Sequence, residues 1–210
     1  MNFKYKIKNG LTVTVVLLCF NIMSGQSKIP WYDVYNSSLS KNSFESKDGD
    51  CQILKDGFDE SLKTDIKQFK SLPLFMHTLP EYKQWMDNKY LVECSSYIYQ
   101  ADKVNFLILE LKINSKNARA SYGRLEFKAQ MKCFMSNGEY IYLENLERSK
   151  GKVDRQHNFT TYKGVFAIDN YEAKTLKKHN LNRIGLIWEE GYQEYQIQNH
   201  TLIKHQLGCL

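Results

Sequence analysis

Proline occurs three times in 210 residues, so few turns are held rigid by its ring, and no interior linker, repeat or low-complexity tract divides the chain. Collagen-like and disordered compositions are excluded as well. Hydrophobic residues make up 42% and aromatic residues 13%, enough to build a sizeable core. The apolar run at residues 11–20 (LTVTVVLLCF) falls short of the roughly 20 residues a membrane-spanning helix needs. No G-x-S-x-G elbow, P-loop or dinucleotide glycine pattern is present. The cysteines show neither C-x-x-C nor a zinc-site spacing. The five histidines are scattered, and His200 and His205 stand five apart, not the four that places two ligands on one helical face. Glu189 and Glu190 are adjacent, and neighbours on a strand point to opposite faces, so they are not read as an acid–base pair. No catalytic, cofactor-binding or metal-ligating residue is expected, and no cofactor.

What is present first concerns export. Lys4, Lys6 and Lys8 precede the apolar run, and the small residues Ser24 and Gly25 follow it. These are the parts of a secretory signal peptide, here residues 1–25. Leu17 and Leu18 before Cys19 argue against a lipid-attachment signal. Cleavage after Gly25 leaves Gln26 at the start and no stable transmembrane anchor. It also removes three of the 29 basic residues, leaving 26 against 23 acids. That slight excess is spread along the chain, and nucleic-acid binding requires clustering on one face. No nucleic-acid partner is expected. Lys177, Lys178 and His179 form the densest basic spot and suit the C-terminal end of a helix dipole.

Four cysteines remain after cleavage: Cys51, Cys94, Cys133 and Cys209. An even number in an exported chain allows two disulfides in three pairings, and buried free thiols are the alternative. The expected bridge is Cys94–Cys209, which would tie a short C-terminal segment to an early strand. A Cys51–Cys133 bridge is compatible with it.

The order of elements reads as an irregular N-terminal segment at 26–57 and one α+β domain at 58–210. Asp48-Gly49-Asp50 reads as a turn, because the later ligands of a calcium loop are missing. Phe58, Leu62, Ile66 and Phe69 recur at helical intervals, with acids before and lysines after. A second short helix is expected at 80–86, with Pro80 in its first turn and Tyr82, Trp85 and Met86 buried. From residue 90 the period becomes two, with strands at 91–99, 104–113, 123–135 and 162–168. Asn137-Gly138 reads as a two-residue hairpin loop. That loop pairs Met135 with Tyr140, Cys133 with Tyr142 and Met131 with Glu144, and Phe134 with Ile141 on the other face. Asp169 or Asn170 should cap a helix at 171–179. A second hairpin around Glu190-Gly191 places Ile184, Leu186, Trp188, Tyr195 and Ile197 on one buried face. Glu189 and Glu194 fall on the exposed face, with Tyr192. Residues 201–207 close the chain as a short helix stopped by Gly208. The fold class is an antiparallel β-sheet or sandwich with short N-terminal helices and a short C-terminal helix.

Tyr97, Tyr99, Tyr140, Tyr142, Trp188, Tyr192 and Tyr195 could form a binding platform for sugar or peptide. As a set they read better as core, with Tyr192 the most exposed. The segments ECSSYIYQ (93–100), NGEYIYL (137–143), RIGLIWEEGYQEYQI (183–197) and the final CL resemble an uncharacterised family of exported Bacteroidetes proteins. Its members end in a Trp-containing β-hairpin, a short helix and Cys-Leu. The resemblance implies secretion and a shared fold, and it transfers no site residue. The sequence therefore points to a non-enzymatic interaction or envelope-associated domain in the periplasm, at the cell surface or secreted. Its expected partner is another envelope protein or a surface glycan. A cell-envelope hydrolase with an unrecognised active site is the alternative, to be told apart by a deep polar cleft rather than a flat patch or free sheet edge.

Overall fold

A computed structural model describes residues 51–86 and 89–210. The expected signal peptide at 1–25, the Asp48-Gly49-Asp50 turn and most of the 26–57 segment lie outside the described residues.

Antiparallel strands make up most of the described chain, in two sheets. The larger is built from β1 (Ile53–Asp59), β2 (Thr64–Phe69), β3 (Leu72–His77), β4 (Val92–Ala101), β5 (Val104–Ile113), β8 (Lys152–Asp154) and β9 (Phe159–Ile168). Its order is β1-β2-β4-β5-β9-β8, with β3 also beside β4. The smaller contains β6 (Gln130–Met135), β7 (Tyr140–Glu144), β10 (Leu181–Trp188) and β11 (Gly191–Gln196), in the order β11-β10-β6-β7. Four short helices complete the fold: α1 (Pro80–Lys83), α2 (Ala118–Tyr122), α3 (Asn170–Lys178) and α4 (Leu202–Gly208). This is an α+β sandwich. One core joins the sheets, with Phe75 stacked on Tyr195 (ring centroids 4.8 Å) and Tyr162 edge-on to Trp188 (5.0 Å).

Several elements differ from the sequence expectation. The stripe Phe58, Leu62, Ile66 and Phe69 is not helical: it spans the β1–β2 hairpin. The Asp59 carboxylate accepts from the backbone N–H groups of Ser61 and Leu62 and from the Ser61 hydroxyl, a side-chain-closed turn that competes with helix. Only Ile66 and Phe69 of the four are buried. Because β1 starts at Ile53, regular structure also begins inside the segment expected to be irregular. Helix α1 starts at Pro80 as expected but ends at Lys83. Trp85 is 75% exposed and Tyr82 is exposed too, so neither packs inward. Of the expected strand at 123–135, only 130–135 is strand.

The Asn-Gly hairpin is also set differently. Phe134 pairs with Tyr140, Cys133 with Ile141 and Met131 with Leu143, one residue out of the expected register. The loop has three residues, Ser136, Asn137 and Gly138, closed by the Met135 N–H donating to the Glu139 carbonyl. Gly138 takes φ +88°, the left-handed position that closes such a three-residue turn. By contrast α3 begins as expected. Asp169 accepts from the Glu172 N–H and Glu172 accepts from the Asp169 N–H, both at 2.7 Å, a reciprocal capping box. Lys177 and Lys178 sit in its last turn, where they complement the dipole.

Side-chain amides repair the sheet where strands break. β2 pairs with the far half of β4 and β3 with the near half, which leaves a seam between them. Buried Gln206 of α4 fills it, accepting from the Ile98 N–H at 2.7 Å and donating to the Lys70 carbonyl at 3.1 Å. Gln198 likewise holds both backbone groups of Met76. These bonds explain why polar side chains sit so deep, and they fix the C-terminal segment against β3 and β4.

Candidate functional site

The docking of α4 decides the cysteine pairing. Gln206 binds Lys70, and the Lys70 N–H donates to the Gln52 carbonyl at 2.7 Å. The end of α4 is thereby brought to the start of β1. The bridge is Cys51–Cys209, with Cα atoms 6.0 Å apart, within the usual range for a disulfide. The expected Cys94–Cys209 pairing is overturned: Cys94 points from β4 into the core and is a buried free thiol, as is Cys133. Burial raises the pKa of both thiols, so each is held in the unreactive protonated form.

The acidic pair at the second hairpin is structural on one side. Glu189 and Glu190 form the loop between Trp188 and Gly191. The Glu189 carboxylate grips Arg124 through Nε at 2.9 Å, Nη2 at 2.7 Å and the backbone N–H at 3.1 Å. That grip lowers its pKa, which suits a clamp and not a proton donor. Among the described residues, no three His, Cys, Asp or Glu side chains converge as metal ligands.

His77 lies buried at the end of β3 with its ring edge-on to Tyr195 at 5.4 Å. Burial pushes its pKa below the ordinary 6.5. The unfolded chain therefore takes up a proton on acidification that the folded chain resists, and stability falls as pH drops through about 6.5. Urea unfolding at pH 7.5 and 5.5 should show the loss, at most about 1.4 kcal/mol per pH unit for one proton. His77→Asn should flatten the profile. The carboxylates with lowered pKa, Asp59, Asp154 and Glu189, lose their contribution only at more acidic pH. A wild-type profile flat over that window would refute the assignment.

The aromatic set divides, with Tyr99 partly buried against the core between the two groups. Tyr97, Trp188 and Tyr195 are core, whereas Tyr140, Tyr142 and Tyr192 are exposed on one face of the smaller sheet. Register builds that face row by row. Tyr140, Phe134, Arg183 and Gln196 are direct neighbours across β7, β6, β10 and β11; Tyr142, Lys132, Gly185 and Glu194 form the next row. Lys132 Nζ sits 4.0 Å from the Tyr140 ring centroid and 4.7 Å from that of Phe134. Arg183 Cζ also sits over Phe134, at 4.0 Å from its centroid. The Tyr192 hydroxyl donates to Glu194 Oε1 at 2.7 Å, and Arg183 pairs with Glu194 at 3.2 Å. Burial first, and then Glu194, raises the Tyr192 pKa, so the ring stays neutral. Gly185 makes room for this ring: a Cβ there would displace the Tyr192 side chain lying over it.

This face is aromatic, with Lys132 and Arg183 set against its rings, and the rings are held by neighbours before any partner arrives. Sequence reasoning placed Tyr192 and Arg183 on one face but did not join Lys132 and Phe134 to them, which β6–β10 pairing does, nor Tyr140 and Tyr142, which the three-residue loop at Gly138 brings to the same face. No family model, curated protein or solved structure matches the chain.

Proposed function

We propose that this chain is an exported, non-enzymatic interaction module of the cell envelope, which docks a partner on the aromatic face of its smaller sheet. The carrying observation is the cluster of exposed Tyr140, Tyr142 and Tyr192 with Lys132 and Arg183 in cation–π contact. Large aromatic rings and arginine are the side chains that anchor protein interfaces, and rings fixed in advance lose little entropy on binding. The Cys51–Cys209 bridge suits an oxidising compartment. The partner is another envelope protein or a surface glycan.

Export and docking are tested together in the native host. Intact mass of the envelope fraction should show a chain beginning near Gln26. A photo-crosslinking residue at Tyr142 should yield adducts with an envelope component, and the same residue at exposed Tyr171 should not. Excess purified wild-type chain should suppress those adducts, and a Lys132→Glu/Arg183→Glu chain should fail to. A full-length cytoplasmic species, or adducts equal at both positions, defeats the reading.

A further inference from the structure

The larger sheet carries a separate concave surface. Glu93, Lys112, Thr161 and Lys152 are direct neighbours in one row across β4, β5, β9 and β8, and Ser95, Glu110 and Lys163 form the next. Arg148, Ser149 and Lys150, from the loop after β7, wall one side. Together they line a groove of about 650 Å³. Both carboxylates in it are already engaged. Glu93 accepts from Lys112 Nζ at 3.5 Å and Asn114 Nδ2 at 2.7 Å. Glu110 accepts from Ser71 Oγ at 2.7 Å and makes no ion pair with Lys163, its direct cross-strand neighbour. Arg148 is paired with Glu126 at 2.5 Å. Among the described residues, Lys150, Lys152 and Lys163 have no ion-pair partner.

Lys112, Arg148, Lys150, Lys152 and Lys163 outnumber Glu93 and Glu110 in the lining, so the groove carries an excess of positive charge. A concave wall focuses the field of that charge. From this geometry we infer that the groove binds an acidic glycan, a sugar chain bearing carboxylates, with Lys150, Lys152 and Lys163 taking the carboxylates. Ser95 and Thr161 on the floor, and the spare lone pairs of Glu93 and Glu110, accept and exchange hydrogen bonds with sugar hydroxyls. A nucleic-acid strand needs exposed rings for its bases. The tyrosine of the groove, Tyr162, is buried, with its hydroxyl donating to the Gly123 carbonyl. An acidic peptide needs pockets for alternate side chains, and the lining is almost wholly charged or hydroxylic.

These residues are distinct from the aromatic face, so the inference does not depend on the docking proposed there. Calorimetric titration of the purified chain with a galacturonate oligomer tests it. The comparators are the neutral galactose oligomer, an oligoglutamate peptide and single-stranded DNA. The galacturonate oligomer should bind, more weakly as salt rises, and the neutral oligomer should not. Lys152→Gln/Lys163→Gln, both at exposed positions, should keep the wild-type circular dichroism and bind at least about tenfold more weakly. Lys177→Gln on α3 should bind as wild type. Absent binding, equal binding of the neutral sugar, an unaffected double variant, or tighter binding of DNA or peptide overturns it.

Discussion

Trp188→Ala is expected to destabilise the protein by about 3–5 kcal/mol, the range for removing a large buried aromatic. Trp188 is 3% exposed, and its indole is edge-on to Tyr122 at 5.2 Å and Tyr162 at 5.0 Å. It thereby joins α2, β9 and β10, and truncation opens a cavity between the two sheets that rigid strands cannot collapse into. Its Nε1–H makes no well-formed hydrogen bond, and neither does the neighbouring Tyr195 hydroxyl. Trp188→Phe should therefore cost much less than Trp188→Ala, since the smaller ring also removes a buried donor without a partner. Tyr192→Ala, on the opposite face at 47% exposure, should cost less than about 1 kcal/mol. Urea unfolding followed by far-UV circular dichroism separates the three. The core assignment is lost if Tyr192→Ala costs more than Trp188→Ala.

That comparison also shows which parts of the fold were legible in the sequence. The terminal hairpin turns at Glu189–Glu190 instead of Glu190–Gly191. Moving a turn centre by one residue shifts every partner by two, which leaves each side chain on its own face. Ile184, Leu186, Trp188, Tyr195 and Ile197 are therefore buried as expected, although their partners differ. At the Asn-Gly hairpin the error was in loop length. A third loop residue shifts the pairing by one and exchanges the faces. Tyr140 and Tyr142 thus leave the Met131, Cys133 and Met135 face and join Lys132 and Phe134 outside. The exposed aromatic face follows from that single residue, which local composition does not distinguish.

The β1–β2 region misled for a related reason. Intervals of four, four and three residues match a helix, but Phe58 and Leu62 are exposed and share no buried stripe with the other two. Their spacing carries helical information only if all four face one way. Asp59 closing the turn onto Ser61 and Leu62 was the local signal for strand–turn–strand. The groove as a whole is legible in no local pattern. Lys152 and Lys163 lie in one local β8–β9 hairpin, but Lys112 joins them only through the pairing of β5 with β9, strands far apart in sequence.

Loss of the Cys51–Cys209 bridge should have the largest effect on stability. The cysteines are 158 residues apart, and in the chain-entropy model closing a loop of that size stabilises by about 5 kcal/mol. Typical domains hold about 5–15 kcal/mol in total, so reduction removes a large share. The loss divides unevenly between the two ends. Helix α4 buries Leu202, Ile203 and Leu207 and is bonded through Gln206, so it keeps its place without the bridge. Strand β1 is the edge of its sheet and leaves Ile53, Leu54 and Phe58 exposed, so it has little else to hold it. Cys51→Ser, Cys209→Ser and reduction should each lower the melting temperature by the same amount, on the order of 10–20 °C, and reducing either variant should add nothing further. Hydrogen exchange should rise first in β1. In a non-reducing peptide map Cys51 should be joined to Cys209, with Cys94 and Cys133 alkylated only after unfolding. A peptide joining Cys94 to Cys209, or rapid alkylation of Cys94 in the folded chain, would falsify this pairing and with it the seating of α4 on β4.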